Sequence, residues 1–265
     1  KLQEKGVKTN FVFLHHDPDP SFPNGIPNPL LEGNRSSTVD TVVSEKADFG
    51  VAFDGDFDRC FFFDHSGDFV PGEFMVGFLA EIFLNKEKGA TIIHDPRVIW
   101  NTIDVVGKCG GEAVASKTGH AFIKAAMRNS NAIYGGEMSA HHYFRDFAYC
   151  DSGIIPWLLV WEYLSTSNLS LSDLISEQKK RFPSSGELNF TVLHAATCIE
   201  RVQNHFLSKA TWIEELDGLS MSFDTWRFNL RRSNTEPLVR LNIETRGDHD
   251  LLKEKTKELK TLIKQ

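Results

Sequence analysis

A chain of 265 residues, 41% of them hydrophobic, is long enough to fold into two or three domains with hydrophobic cores. The 36 acidic residues outnumber the 29 basic ones, and no block of Lys and Arg is long enough to bind nucleic acid, which excludes nucleic acid as a partner. No apolar run reaches the roughly 18 residues of a membrane span. Four scattered cysteines without a Cys-x-x-Cys pair favour reduced thiols, so we expect a soluble, cytoplasmic protein with no membrane partner.

The first predicted elements form an α/β unit that follows an ordered loop. Residues 11–14 have the composition of a short strand, and residues 17–30 carry too many Pro, Gly and Asn to form anything other than a loop. Apolar side chains at helical spacing then predict a helix over residues 38–47. Apolar runs of strand length follow at 47–53 and 60–63.

The loop between these two strands holds three acids, Asp54, Asp56 and Asp58. At an effective dielectric of about 20, a carboxylate pair ~4 Å apart costs roughly 4 kcal/mol, which a bound cation removes. Carboxylate oxygens favour Mg²⁺ over zinc. An EF-hand Ca²⁺ loop is disfavoured because its sixth and twelfth positions would hold Arg59 and His65. A solvated acidic turn remains open, although Arg59 suits a phosphate or sugar oxygen.

Helices and strands alternate through the middle of the chain. The pattern predicts strands at 90–95 and 132–134, and helices at 71–85, 101–107, 120–128, 151–164 and from 172. This alternation predicts a second α/β layer with a largely parallel sheet. Arg97 follows the first of these strands, at the sheet end where α/β proteins tend to present functional side chains.

The sequence GGEMSAHH follows the second of these strands, and its glycines allow a sharp turn close to a ligand. Glu137 and Ser139 are two residues apart, so in extended chain they face the same side and suit adjacent sugar hydroxyls. His141 and His142 point in opposite directions in extended chain and are not expected to share one metal ion. Either is otherwise an ordinary packed or exposed histidine. His120 lies at the start of a predicted helix, where anions are favoured.

The pattern changes after residues 183–186 to that of a small α+β domain, with a polar loop between two apolar strands and a charged final helix. Arg231 and Arg232 precede Ser233, Asn234 and Thr235, and this density of donors suits a phosphate dianion. Taken alone, a plain surface turn explains the loop equally well.

These three loops, in this order, resemble those of the α-D-phosphohexomutase superfamily, and most closely those of bacterial phosphomannomutases of the GDP-mannose route. In that family the metal loop reads D-G-D-x-D-R, the sugar loop G-E-M-S-G-H and the phosphate loop R-x-S-N-T-x-P. The matching stretches here are residues 54–59, residues 136–141 with Ala140 in place of the glycine, and residues 231–237. The resemblance spans essentially the whole chain.

The resemblance implies a role for each residue of these loops. Asp54, Asp56 and Asp58 would bind Mg²⁺. Arg59 and His141 would act at the reacting phosphate. The substrate-binding residues would be Arg97 and His120 in the cleft, Glu137 and Ser139 on the sugar hydroxyls, and Arg231, Ser233, Asn234 and Thr235 on the phosphate that is not transferred.

The resemblance also implies the fold and its division into domains. We expect two phosphohexomutase-type α/β domains, the first of them partial, over residues 1–67 and 68–183, and a small α+β domain over residues 184–265. Family members carry a phosphorylated serine in a preceding domain, within a T-A-S-H-N-type loop that this sequence lacks. We therefore expect a C-terminal portion that is inactive without the missing N-terminal domain of the same protein.

The implied reaction interconverts mannose 6-phosphate and mannose 1-phosphate through the phosphoserine and a bisphosphorylated sugar intermediate. These hexose phosphates would be the partners of the protein. Phosphoglucomutase or dual-specificity activity is an alternative, because one motif cannot separate sugars that differ at C2. A non-catalytic phosphosugar-binding protein and a calcium-binding structural module are alternatives of other classes.

Overall fold

The computed structural model describes residues 9–233 and 237–265. The predicted phosphate-binding residues Asn234 and Thr235 lie outside the described residues. Within the described part of the chain, no helix is both long and apolar enough to cross a membrane.

The first structural unit packs one helix on a three-stranded antiparallel sheet of order β1-β2-β3. Helix α1 spans Ser36–Glu45, and the strands are β1 (Phe49–Phe53), β2 (Cys60–Asp64) and β3 (Phe69–Val70). Strand β2 reads CFFFD and is buried along its whole length. The predicted pair of strands around the three acids is therefore confirmed, and the acids occupy the hairpin connection between β1 and β2.

The strand predicted at residues 11–14 is wrong, because this segment pairs with no strand among the described residues. The Phe11 ring meets the Trp157 ring edge-on instead, with centroids 6.2 Å apart. Val12, Phe13 and Leu14 are exposed.

The second sheet has the order β5-β4-β6-β7-β8. Its strands are β4 (Thr91–His94), β5 (Glu112–Ala115), β6 (Tyr134–Gly136), β7 (His142–Phe144) and β8 (Cys150–Asp151). Strand β4 runs parallel to β5 and β6, whereas the pairs β6–β7 and β7–β8 are antiparallel. The sheet is mixed rather than largely parallel, because the chain reverses between β6 and β7 and a short reversal forces antiparallel pairing.

Five helices accompany this second sheet. They are α2 (Gly72–Lys86), α3 (Trp100–Lys108), α4 (His120–Ser130), α5 (Ile154–Thr166) and α6 (Leu171–Arg181). Helices α2, α3 and α4 pack directly on the sheet. Most of α2 is buried, because it packs against helices α3, α5 and α6 as well as strand β6. The helix predicted from residue 151 begins at Ile154, because Asp151 ends strand β8. The Ser152 hydroxyl accepts the N–H groups of Ile154 and Ile155 at the start of α5.

The C-terminal unit is a five-stranded antiparallel sheet of order β10-β11-β12-β13-β9, with two helices packed on it. Its elements are β9 (Leu188–Thr191), α7 (Ala195–Phe206), β10 (Trp212–Glu214), β11 (Leu219–Ser222), β12 (Trp226–Arg232), β13 (Leu238–Thr245) and α8 (His249–Lys264). Residues such as Val202, Phe228 and Leu259 form a core separate from that of the preceding unit. The predicted α/β fold with a small α+β unit at its end is confirmed.

One buried arginine joins the C-terminal sheet to the unit before it. Arg227 is 0% exposed and donates to the carbonyl oxygens of Pro96 at 3.0 Å and Arg97 at 2.9 Å. Its guanidinium also pairs with Glu244 at 2.8 Å. The Glu244 carboxylate accepts the N–H groups of Ile99 and Trp100 at the start of α3. The turn between β4 and α3 is thereby fixed to strands β12 and β13.

Replacing this arginine should destabilise the protein strongly. Arg227→Met leaves the buried Glu244 carboxylate without its cation, which typically costs about 3–5 kcal/mol. Urea denaturation followed by circular dichroism should show this loss in the free energy of unfolding. Arg232→Met, at the exposed end of the same strand, is the matched control and should stay within about 0.5 kcal/mol of the parent. Equal effects from the two changes would contradict the structural role assigned to Arg227.

Candidate active site

The acid loop, residues 54–59, is organised by an ion pair within it. Asp54 is 2% exposed, and its carboxylate accepts both the side-chain Nε–H and the backbone N–H of Arg59. Burial alone would raise the pKa of Asp54, but the hydrogen bonds and charge of Arg59 lower it. Asp54 is therefore ionised and fixed in place.

Asp54, Asp56 and Asp58 each offer an oxygen, and these three oxygens lie within 4.8 Å of one another. Oδ1 of Asp58 is buried and has no hydrogen-bond partner. Burial and the neighbouring charge of Asp54 raise the pKa of Asp58 to about 6. A buried carboxylate oxygen without a donor, in a set of three carboxylates, fits a divalent cation that prefers oxygen ligands.

Cation binding at the acid loop should therefore weaken in mild acid. With a pKa of about 6, Asp58 is mostly ionised near pH 7.5, whereas near pH 5 only about one molecule in eleven carries the charge. A cation must displace the proton, so calorimetric titration with Mg²⁺ should show about tenfold lower affinity near pH 5.

Asp56→Asn, measured near pH 7.5, should remove most of the Mg²⁺ affinity. An affinity that does not change between the two pH values would contradict the role of Asp58 as a cation ligand.

The turn between β6 and β7, residues 136–141, is a tight reversal that we call the GEMSAH loop. The N–H of Ala140 donates to the carbonyl of Glu137, and the N–H of Glu137 donates to the carbonyl of His141. Ala140 has a φ of 71°, in the left-handed region that glycine adopts without strain. This conformation suits the glycine that the resembled motif G-E-M-S-G-H has at the position of Ala140.

Backbone hydrogen bonds hold the acid loop against the GEMSAH loop. The N–H of Cys60 donates to the carbonyl of Ala140, and Arg59 forms a β-bridge with His141. On the other side, the N–H of Gly153 donates to the carbonyl of Phe57 at 3.1 Å. A Cβ atom at Gly153 would lie 2.6 Å from that oxygen, so only glycine permits the approach. Two loops far apart in sequence are therefore in direct contact.

Glu137 is 1% exposed, and both of its carboxylate oxygens have protein partners. The N–H of Gly119 donates to Oε1 at 3.0 Å, and the Tyr143 hydroxyl donates to Oε2 at 2.7 Å. Burial raises the pKa of Glu137, and the Arg97 charge partly offsets that shift. Ser139 is half-buried, and its hydroxyl accepts from Arg97 at 3.3 Å. Both predicted sugar-binding residues thus lie beside Arg97.

Arg97 is buried and pairs with Asp95 at 2.8 Å. Burial disfavours its charge, but the Asp95 carboxylate outweighs that effect and raises the pKa of Arg97. The same Asp95 carboxylate accepts the N–H of Met138 at 2.7 Å. Arg97 also lies 3.5 Å from Glu187 in the C-terminal unit, so it connects the GEMSAH loop with that unit.

The His120 and His141 rings meet edge-on, with centroids 4.6 Å apart. Nε2 of His141 lies 3.4 Å from Asp58, and Nδ1 of His120 lies 2.9 Å from Asp151. Burial and the nearby charges of His120 and Arg59 lower the pKa of His141 to about 4. His142 points the other way into the core, as predicted, where it bonds the Tyr134 hydroxyl.

Three arginines surround Glu187 where the C-terminal unit meets the cleft. Arg97, Arg231 and Arg240 each approach this carboxylate at 3.4 to 3.5 Å. Burial and the charge of Arg97 lower the pKa of Arg231. Arg232 is exposed on the other face of β12. Ser233 follows the strand, and its N–H donates to the carbonyl of Leu238.

Sequence reasoning missed Glu187, Arg240 and Tyr143, and placed Asp151 only at the start of a predicted helix. Arg240 is the antiparallel register partner of Arg231, so their side chains share one sheet face. A charged residue within the apolar strand sequence LVRLNI was the available signal for Arg240. The other three gave no signal, because only their tertiary neighbours distinguish them.

The chain is similar to known proteins over almost its whole length. Domain II of the phosphoglucomutase/phosphomannomutase family matches residues 1–67, and α/β/α domain III matches residues 71–182. A Vibrio cholerae phosphomannomutase is 57% identical over 99% of this chain and 57% of its own length. An Escherichia coli K12 phosphomannomutase is 55% identical over 100% of this chain and 58% of its own length.

A solved structure shares the fold. A phosphoglucomutase/phosphomannomutase family protein from Burkholderia thailandensis has a TM-score of 0.84 and 28% identity, over 98% of this chain and 56% of its own. The chain belongs to the phosphoglucomutase/phosphomannomutase family, within the α-D-phosphohexomutase superfamily. It spans 57% to 58% of the length of the curated relatives named above.

Proposed function

We propose that the protein functions as a phosphomannomutase, which interconverts mannose 6-phosphate and mannose 1-phosphate in the supply of GDP-mannose. The reaction would pass through a phosphoserine, contributed from outside these 265 residues, and a bisphosphorylated sugar. The observation that carries the proposal is the contact between the acid loop and the GEMSAH loop, together with Arg97. The Arg97 side chain reaches from Ser139 of the GEMSAH loop to Glu187, which also pairs with Arg231 and Arg240 of the C-terminal unit.

The acid loop would hold Mg²⁺ through Asp54, Asp56 and Asp58. The ion would offset negative charge on the phosphate that is transferred. Arg59 contacts Asp54 through Nε, and we assign its terminal N–H groups to a phosphate oxygen. His141 is neutral near pH 7, because its pKa is about 4, and we assign it the exchange of a proton with a sugar hydroxyl.

The GEMSAH loop would bind the sugar through groups that serve both orientations of the intermediate. Each Glu137 oxygen already accepts one hydrogen bond, and a carboxylate oxygen can accept a second. Because the Glu137 side chain is already fixed, it would lose less entropy on binding sugar hydroxyls than a mobile side chain would. Ser139, Arg97 and His120 would complete the wall of this subsite.

The C-terminal arginines would bind the phosphate that is not transferred, together with the loop of Ser233, Asn234 and Thr235. Arg231 and Arg240 share one carboxylate, Glu187, at distances longer than a strong ion pair. A phosphate dianion would give both guanidinium groups shorter contacts.

We also propose a cytoplasmic location. The four cysteines are free thiols, two of them buried, and this pattern suits a reducing compartment.

The proposed reaction can be tested with the complete gene product. Coupled assays should show turnover of mannose 6-phosphate and mannose 1-phosphate that requires Mg²⁺, with a lower kcat/KM for the glucose phosphates. A higher kcat/KM for glucose phosphates would make the protein a phosphoglucomutase. Binding of hexose phosphates without any turnover would identify a phosphosugar-binding protein, and either result would contradict the proposal.

The phosphate subsite can be tested by binding to the chain itself. Arg231→Ala removes a charged contact worth roughly 1.5 to 3 kcal/mol, so the affinity for mannose 6-phosphate should fall about tenfold to a hundredfold. Titration calorimetry measures this change. Arg232→Ala removes an equal charge from the exposed face of β12 and should change the affinity by less than about twofold.

Glu187→Gln supplies a second and independent test of the same subsite. If the Glu187 carboxylate occupies the position of the phosphate, its neutralisation should strengthen binding of mannose 6-phosphate several-fold. Asp224→Asn, at an exposed position of the same unit, is the matched control and should have no effect. Weaker binding in Glu187→Gln would show that the carboxylate only holds the arginines in place.

A further inference from the structure

A second group of potential metal ligands lies beside the acid loop, formed by Asp58, His120, His141 and Asp151. We call it the imidazole site. Each residue offers one ligand atom, and these four atoms lie within 4.8 Å of one another. Ligand atoms in a tetrahedral site with metal–ligand distances of about 2.0 Å lie about 3.3 Å apart. Nδ1 of His120 lies 2.9 Å from Oδ2 of Asp151, and Nε2 of His141 lies 3.4 Å from Oδ2 of Asp58. These two distances lie on either side of that value.

The two oxygens of Asp58 face different groups. Oδ1 lies on the side of Arg59, at 3.7 Å from its Nε, and has no hydrogen-bond partner. Oδ2 lies on the side of the imidazoles, at 3.4 Å from Nε2 of His141 and 3.8 Å from Nε2 of His120. The Asp58 carboxylate therefore lies between the two sets of ligands and can bind a cation in either of them.

Surrounding groups hold the ligands of the imidazole site in place. Nδ1 of His141 lies 3.5 Å from Glu137 and 3.2 Å from the Ser139 hydroxyl, so Nε2 is the atom that faces the site. A carboxylate behind an imidazole is the usual support of a metal-binding histidine, because it fixes the tautomer and the ring orientation. Asp151 is largely buried and is held by Lys124 at 2.9 Å.

We propose that the imidazole site binds a divalent transition metal, of which Zn²⁺ is the representative, separately from the cation of the acid loop. Two imidazole nitrogens and two carboxylate oxygens are a ligand set that Zn²⁺, Co²⁺ and Ni²⁺ prefer, whereas the all-oxygen acid loop suits Mg²⁺. The site is preformed, since its ligands come from the acid loop, the start of α4, the end of the GEMSAH loop and strand β8.

Such a metal would act as an inhibitor of the proposed reaction. The metal would bind His141, which we assign to proton exchange, and Asp58, which we assign to Mg²⁺ binding. This consequence rests on the proposed function. The binding of Zn²⁺ does not, so it can be measured on the chain without substrate and without turnover.

The test is a comparison of Zn²⁺ and Mg²⁺ binding across three variants of the chain. His120→Ala removes a ligand of the imidazole site only, and Asp56→Asn removes a ligand of the acid loop only. Calorimetry should show Zn²⁺ affinity reduced at least about tenfold in His120→Ala and unchanged in Asp56→Asn. The Mg²⁺ affinity should instead fall in Asp56→Asn and stay unchanged in His120→Ala. His205→Ala, a histidine paired with Glu258 on the surface, is the matched control and should bind both ions normally.

Co²⁺ supplies a readout that does not depend on the folding of any variant. In the parent chain, Co²⁺ should give the intense visible absorption of four-coordinate cobalt, and Zn²⁺ should abolish it by competition. Zn²⁺ should also shift the imidazole NMR signals of His120 and His141 but not that of His205. Loss of Zn²⁺ binding in Asp56→Asn with full binding in His120→Ala would place Zn²⁺ in the acid loop and overturn the proposal. Absence of Zn²⁺ binding by the parent chain would overturn it as well.

Discussion

The ion pair between Asp95 and Arg97 is the interaction on which the cleft depends. The Asp95 carboxylate accepts the backbone N–H groups of Arg97 and Met138, so it fixes both the turn after β4 and the GEMSAH loop. The Arg97 guanidinium reaches Ser139 and Glu187. Both groups are almost fully buried, and a buried charge is tolerated only when its partner is held in place. Loss of Arg97 would leave the buried Asp95 carboxylate without its cation, and loss of Asp95 would remove the acceptor of the Arg97 and Met138 N–H groups.

A second pair, Arg227 with Glu244, extends this arrangement into the C-terminal unit. The Arg227 guanidinium binds the carbonyl oxygens of Pro96 and Arg97, which belong to the same turn that Asp95 organises. The backbone of Arg97 is therefore held from one side and its side chain from the other. Any rotation of the C-terminal unit relative to the sheet β4–β8 has to break or carry along these contacts. The GEMSAH loop and the arginines of the C-terminal unit are therefore linked through this one turn.

The carboxylates around the acid loop differ in charge state because their surroundings differ. Asp54 is buried but paired with Arg59, which lowers its pKa, whereas Asp58 lacks such a partner on Oδ1 and has its pKa raised to about 6. The difference makes Asp58 the residue that gains most from a cation. Its two oxygens face two ligand sets, so in the two proposed sites this side chain would serve either an oxygen-binding or a nitrogen-binding metal.

The sequence by itself determined the local features of this protein. The spacing of apolar residues located β1, β2 and α2, because periodicity is a property of neighbouring residues. The three loops carried enough of their chemistry in consecutive residues to indicate a metal, a sugar and a phosphate.

Only the tertiary structure decided which distant groups meet. It made the second sheet mixed, left residues 11–14 without a strand partner, and brought Asp151 to His120 and Arg240 to Glu187. The physical reason is that strand pairing and charge compensation join residues far apart in the chain, and a linear pattern does not specify which partner supplies the missing hydrogen bond or charge.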